Sequence, residues 1–153
     1  MKDLFIKLGE TLKENGLDYE YDESDGSPSL HIMMENAGPD EDGVVITELC
    51  RVPVETDTDV KYFLFNSMIA MNVEFNKIPI VAARLCDVNL ETVIGAFGVI
   101  PDEDNDGIIY HKYTLCVWEN SGEKLINRLY QTFVDVMATI DLKYYDVMMT
   151  LAE

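Results

Sequence analysis

The chain has 153 residues, with 29 acids against 11 bases and a net charge of -18. Hydrophobic residues make up 48% of it, too many for a disordered chain, and no apolar run approaches the ~18 residues of a membrane helix. Four base-free segments, 18–25, 35–42, 55–59 and 102–106, hold 16 of the 29 acids, which argues against binding nucleic-acid phosphates or anionic membranes.

The length predicts one domain spanning 1–153, large enough to bury a core. Asp3 to Asn15 reads as a helix with Leu4, Phe5, Leu8 and Leu12 on one face. Gly16 is placed as its left-handed cap, and Leu17 reaches back to Leu12. Strand alternation follows at Leu17, Tyr19 and Tyr21, then at Leu30, Ile32 and Met34, then from Val44 to Val52, each closed by a turn-rich stretch. Val60 to Val73 is apolar on both faces and suits a central strand, with a helix over Tyr62 to Asn72 as the competitor. Ile78 to Asn89 reads as a helix with Pro79 in its first turn. Thr92 to Ile100 and Ile108 to Trp118 form a hairpin around PDEDNDG. Asn120 and Glu123 resemble a capping box opening a long final helix, whose core face is Leu125, Leu129, Phe133, Val136 and Ile140. That helix either continues or breaks at Asp141. The order is α-β-β-β-β-α-β-β-α, an α+β fold.

Few residues suggest chemistry. Asp102, Asp104 and Asp106 with Gly107 match the first half of a calcium loop, but Tyr113 stands where a bidentate Glu is needed, so a solvated turn is expected rather than a metal site. His31 and His111 are the only histidines, each in a strand pattern and read as packing or surface residues. Gly95-Ala96-Phe97-Gly98 precedes no helix, so it marks close backbone packing or a bulge, not a phosphate cradle. Cys50, Cys86 and Cys116 lie in apolar segments with no CxxC pair and are expected to pack as small hydrophobes. Their odd number, and an opening MKDLFIKLGE unlike a secretory signal, suggest the reducing cytoplasm. The methionines are read as core filler. No cofactor motif is present, and no catalytic residue is assigned.

The last hairpin suggests a partner. Val93, Phe97, Val99, Ile109, Tyr113, Leu115 and Val117 make a core face. The opposite positions, Ile94, Ala96, Ile100, Ile108, Tyr110, Cys116 and Trp118, are nearly as apolar, where a half-solvated strand carries polar side chains. The second helix, a second copy of the chain or another protein would cover them. Ile94, Ile100, Ile108, Tyr110 and Trp118 are the candidate contacts, and a homodimer is the expected assembly.

The helix ending at Asn89, the GAFG strand, the acidic hairpin, the strand bearing Tyr110 and Tyr113, and the terminal helix with Tyr144-Tyr145 together resemble the YbjN-like family. The resemblance implies a two-layer α+β sandwich, an antiparallel sheet backed by helices as in type III secretion chaperones. It also implies a non-enzymatic protein-binding or regulatory module, often dimeric, and carries over no catalytic residue.

Two other functions fit the residues. An acidic antagonist mimicking nucleic acid would present clustered carboxylates to a basic protein, although the acidic turns fall at both ends of the sheet. A small enzyme would use His111 with a nearby acid.

Overall fold

Residues 1–54, 58–118 and 122–153 are described in the computed structural model. Six strands, β1 (Asp18–Asp22), β2 (Ser29–Ala37), β3 (Gly43–Val52), β4 (Lys61–Val73), β5 (Ala96–Pro101) and β6 (Gly107–Val117), pair antiparallel in the spatial order β1-β2-β3-β4-β6-β5. The helices are α1 (Lys2–Glu14), α2 (Ile78–Glu91) and α3 (Glu123–Thr139), the last continuing through a π-helical turn (Ile140–Tyr144) into α4 (Tyr145–Ala152). This is the α+β order read from the sequence. The ambiguous segment is the long strand β4, whose Phe63, Phe65 and Ile69 point into the core.

Local chemistry accounts for the element ends. Gly16 takes φ +80, and its N–H and that of Leu17 donate to the Lys13 and Leu12 carbonyls, both at 3.0 Å. That double bond is the Schellman closure expected of a left-handed glycine. The proposed Asn120 cap lies outside the described residues; α3 starts at Glu123 behind Gly122.

All helices pack on one face of the sheet. Phe5, Leu8 and Leu12 of α1, Val81 and Leu85 of α2, the five expected positions on and just after α3, and Met148 of α4 join the inner-face side chains in one core. Phe5 meets Phe63 edge to face with centroids 6.5 Å apart. Gly9 lets α1 approach β1, because a side chain there would overlap the Tyr19 ring.

The final helix neither runs on regularly nor breaks at Asp141. Its π-helical turn brings the Asp141 carboxylate to the Gly38 N–H, which donates to it at 2.6 Å. Tyr145 then lies against Gly38 and Gly43, where any side chain would collide with the ring. The helix is thereby fastened to the β2–β3 hairpin.

Candidate functional site: the open face of the sheet

Because side chains alternate along a strand, the face away from the helices collects every second residue. Strand pairing sets these residues in rows across the sheet. One row is Met33, Ile46, Met68, Tyr110 and Gly98, from β2 to β5. The next is Glu20, His31, Glu48, Asn66, Lys112 and Ala96, from β1 to β5. Then come Ser29, Cys50, Leu64 and Thr114, and beyond them Val52, Tyr62 and Cys116. None of these side chains joins the core, and none of the helices lies over them.

The face is therefore mostly apolar and open. Met33 is 38% exposed and Val44, on the same side of β3, 46%. The Tyr110 phenol lies across Gly98, where any side chain would overlap it. Beside β1 a depression of about 270 Å³ is lined by Asp18, Glu20, His31, Met33 and Ile46 among others. His31 Nε2 lies 3.2 Å from Ser29 Oγ and 3.9 Å from Glu48 Oε1.

The candidate contacts divide into three groups. Ile100 and Ile108 are paired, with Tyr110 two residues along β6. Trp118 is 67% exposed but follows the far end of β6, away from that trio. Ile94 is not on the open face at all: it packs against the core, while Val93, expected in the core, is 93% exposed. Gly95 is the cause. Its φ of +71 breaks the strand alternation, so β5 begins only at Ala96 and the two preceding side chains exchange sides.

Other expectations also change. None of the three cysteines is fully buried; Cys86 is exposed, and Cys50 and Cys116 sit on the open face. Burial, with Glu48 and Asp25 nearby, pushes the Cys50 thiol above its ordinary value, which disfavours the thiolate. Only Met137 and Met148 among the internal methionines fill the core, whereas Met33 and Met68 line the open face. Those two, with Ile46 and Leu64, are the members of the face that the hairpin pattern alone missed. For Ile46, Leu64 and Met68 the signal was present in β3 and β4, which are apolar on both sides, whereas Met33 lies on β2.

No family model matches the chain, and no curated protein matches it in sequence. Among solved structures, the crystal structure of YbjN, a proposed transcription regulator from E. coli, matches 93% of this chain and 89% of its own, with a TM-score of 0.58 and 14% identity. The fold is YbjN-like. At that identity the likeness lies in the path of the chain.

On this YbjN-like frame the remaining candidates have structural surroundings. His111 is wholly buried, its Nε2 is 2.7 Å from the Ile94 carbonyl oxygen, and its ring meets Phe97 edge to face at 4.9 Å. A carbonyl oxygen only accepts, so Nε2 carries the proton and donates, and among the described residues Nδ1 has no partner. Burial lowers its pKa, the Ile94 bond opposing, and the ring has no surface to offer a substrate. In the β5–β6 loop, Asp102 Oδ1 accepts the backbone N–H groups of Asp104 and Asp106 at 2.8 and 3.0 Å. Among the described residues no three acids, histidines or cysteines converge as a metal site. Residues 22–27, 53–54 and 58–60 cap one end of the sheet, and 38–42 and 102–106 the other, so the described acidic turns form two poles rather than one stripe. No helix among the described residues is long and apolar enough to cross a membrane.

Proposed function

We propose that this protein is a non-enzymatic protein-binding module whose contact surface is the open sheet face. One observation carries the reading: the face is as wide as the sheet, its rows through Met33–Ile46–Met68–Tyr110 and Cys50–Leu64 are largely apolar, and among the described residues no element packed on the core covers it. Apolar area of that breadth draws partners by removing water, with polar groups fixing register. Ile100, Ile108 and Tyr110 extend the surface toward β5, and Trp118 marks its far corner. The free thiols suit a reducing compartment such as the cytoplasm, and the acidic poles serve solubility and repel wrong partners.

The test is capture of a protein partner from the source cell extract. Wild type is expected to hold it through ~0.5 M NaCl, where charge attraction is screened. Met68→Lys and Ile46→Lys are expected to lose it while keeping the wild-type circular dichroism. Release of the partner by salt alone, with both variants binding normally, would instead favour the acidic antagonist.

A further inference from the structure

The occupant of the open face is addressed by its one positive charge. Lys112 is the only Lys or Arg at the outer-face positions of the sheet, and among the described residues it has no carboxylate within ion-pair distance. It stands one strand to one side of Asn66, and Glu48 stands one strand to the other side in the same row. A cation on a surface that becomes buried is costly to cover unless the covering molecule brings an acid to it.

We infer that the open face binds a second copy of this chain about a twofold axis running along β4. This rests on the reading of the open face as a protein-contact surface and names its occupant. A twofold parallel to β4, lying between two facing sheets, exchanges the strands on either side of it. β3 then faces the partner copy's β6, and β2 faces its β5. Lys112 of each copy comes opposite Glu48 of the other, with Asn66 opposite its own counterpart on the axis.

The same operation sets apolar side chains against one another. In the apolar row Ile46 meets Tyr110, Met68 meets Met68, and Met33 falls on the Tyr110 ring where it covers Gly98. In the polar row His31 falls on Ala96. β4 is fourth of six strands, so β1 has no counterpart beyond the partner's β5 edge. Its outward acids Asp18, Glu20 and Asp22 therefore remain outside the contact. The positions of those rows on β2 to β6, together with Val44, Ile100 and Ile108 on the same side, each span about 4.8 by 6.8 Å and give ~650 Å² per copy, or ~1,300 Å² in total, within the roughly 1,200–2,000 Å² of stable complexes.

Charge reversal in two separate preparations tests the arrangement. Wild type is expected to sediment as a dimer. Lys112→Glu alone and Glu48→Lys alone each place like charges opposite one another, and each is expected to weaken self-association roughly tenfold or more. Mixed together they restore both pairs, so a heterodimer of near wild-type affinity should form. As a second measurement, Asn66→Cys with the native cysteines changed to Ser should cross-link to itself through a short bis-maleimide, and Lys13→Cys on the helix layer should not. A wild-type monomer whose partner capture still depends on Met68 would overturn the twofold and leave the open-face reading intact. A dimer unchanged by both reversals and by Met68→Lys would overturn the twofold and count against that reading as well. Absence of a heterodimer on mixing, with the singles monomeric, would overturn the Lys112–Glu48 pairing.

Discussion

His111 shows how one buried ring fixes a local turn. It holds the Ile94 carbonyl with Nε2, packs on Phe97, and lies close enough to Gly95 that a side chain at residue 95 would strike it. Phe97 in turn meets Tyr144 edge to face at 5.0 Å, linking β5 to the π-helical turn. Protonating His111 would add a charge and an unpartnered Nδ1–H in a dry place. Its folded pKa lies below the ordinary value of 6.5, so below that pH the unfolded chain binds the proton more readily. Stability contributed by this group is therefore complete above about pH 6.5 and declines as the pH falls from there toward the folded pKa. Thermal melts of wild type and His111→Gln between pH 7.5 and about pH 5 should show the steeper acid-side loss in wild type; the comparison separates His111 from His31, present in both. The burial of His111 was legible as strand alternation, since it shares parity with Ile109 and Leu115. The exchange of Val93 and Ile94 was not legible, because alternation gives no sign of where a left-handed glycine ends it.

At the scale of elements, termini and periodicities read well, and distant attachments did not. Leu12, Gly16 and Leu17 specify the end of α1 by spacing alone, and the 3.6-residue period specifies the buried face of α3. The π-helical turn has no comparable local signature: it follows from Asp141 meeting a backbone N–H more than a hundred residues earlier in sequence. Charged acceptors strengthen such bonds. Asp141→Ala should destabilise the fold by about 1–3 kcal/mol in urea unfolding, with hydrogen exchange quickening first in α4 and the β2–β3 hairpin. Asp141→Asn should recover part of the loss, since an amide oxygen still accepts from Gly38. The side taken by α2 was also beyond sequence reading. Its Val81 and Leu85 could cover either face of the last hairpin, and they join the core, leaving the apolar rows open. Local pattern identifies an apolar face but not which of two such faces a helix chooses.

Over the whole molecule, 29 acids stand against 11 bases, and the acid-rich turns among the described residues fall at the two ends of the sheet. Repulsion within each pole should be strongest at low ionic strength. The melting temperature is expected to rise with NaCl up to ~0.5 M, where the Debye length has shrunk to a few ångströms. Asp104→Asn should give a gain of a few tenths of a kcal/mol at low salt that vanishes at high salt. An unchanged melting temperature across that range would mean the poles are too well solvated to strain the fold. Composition had already located the acids in turns; only the pairing of turns by sheet end required the fold. The strand order has one more effect, at the margins. β1 bears Asp18, Glu20 and Asp22 along its outer side, and β5 is six residues long and closes on Pro101. A neighbouring chain trying to add a seventh strand meets like charge at one border and a short, proline-ended ladder at the other. A sheet with one broad apolar face is thus deterred from growing sideways into fibrils by both of its edges.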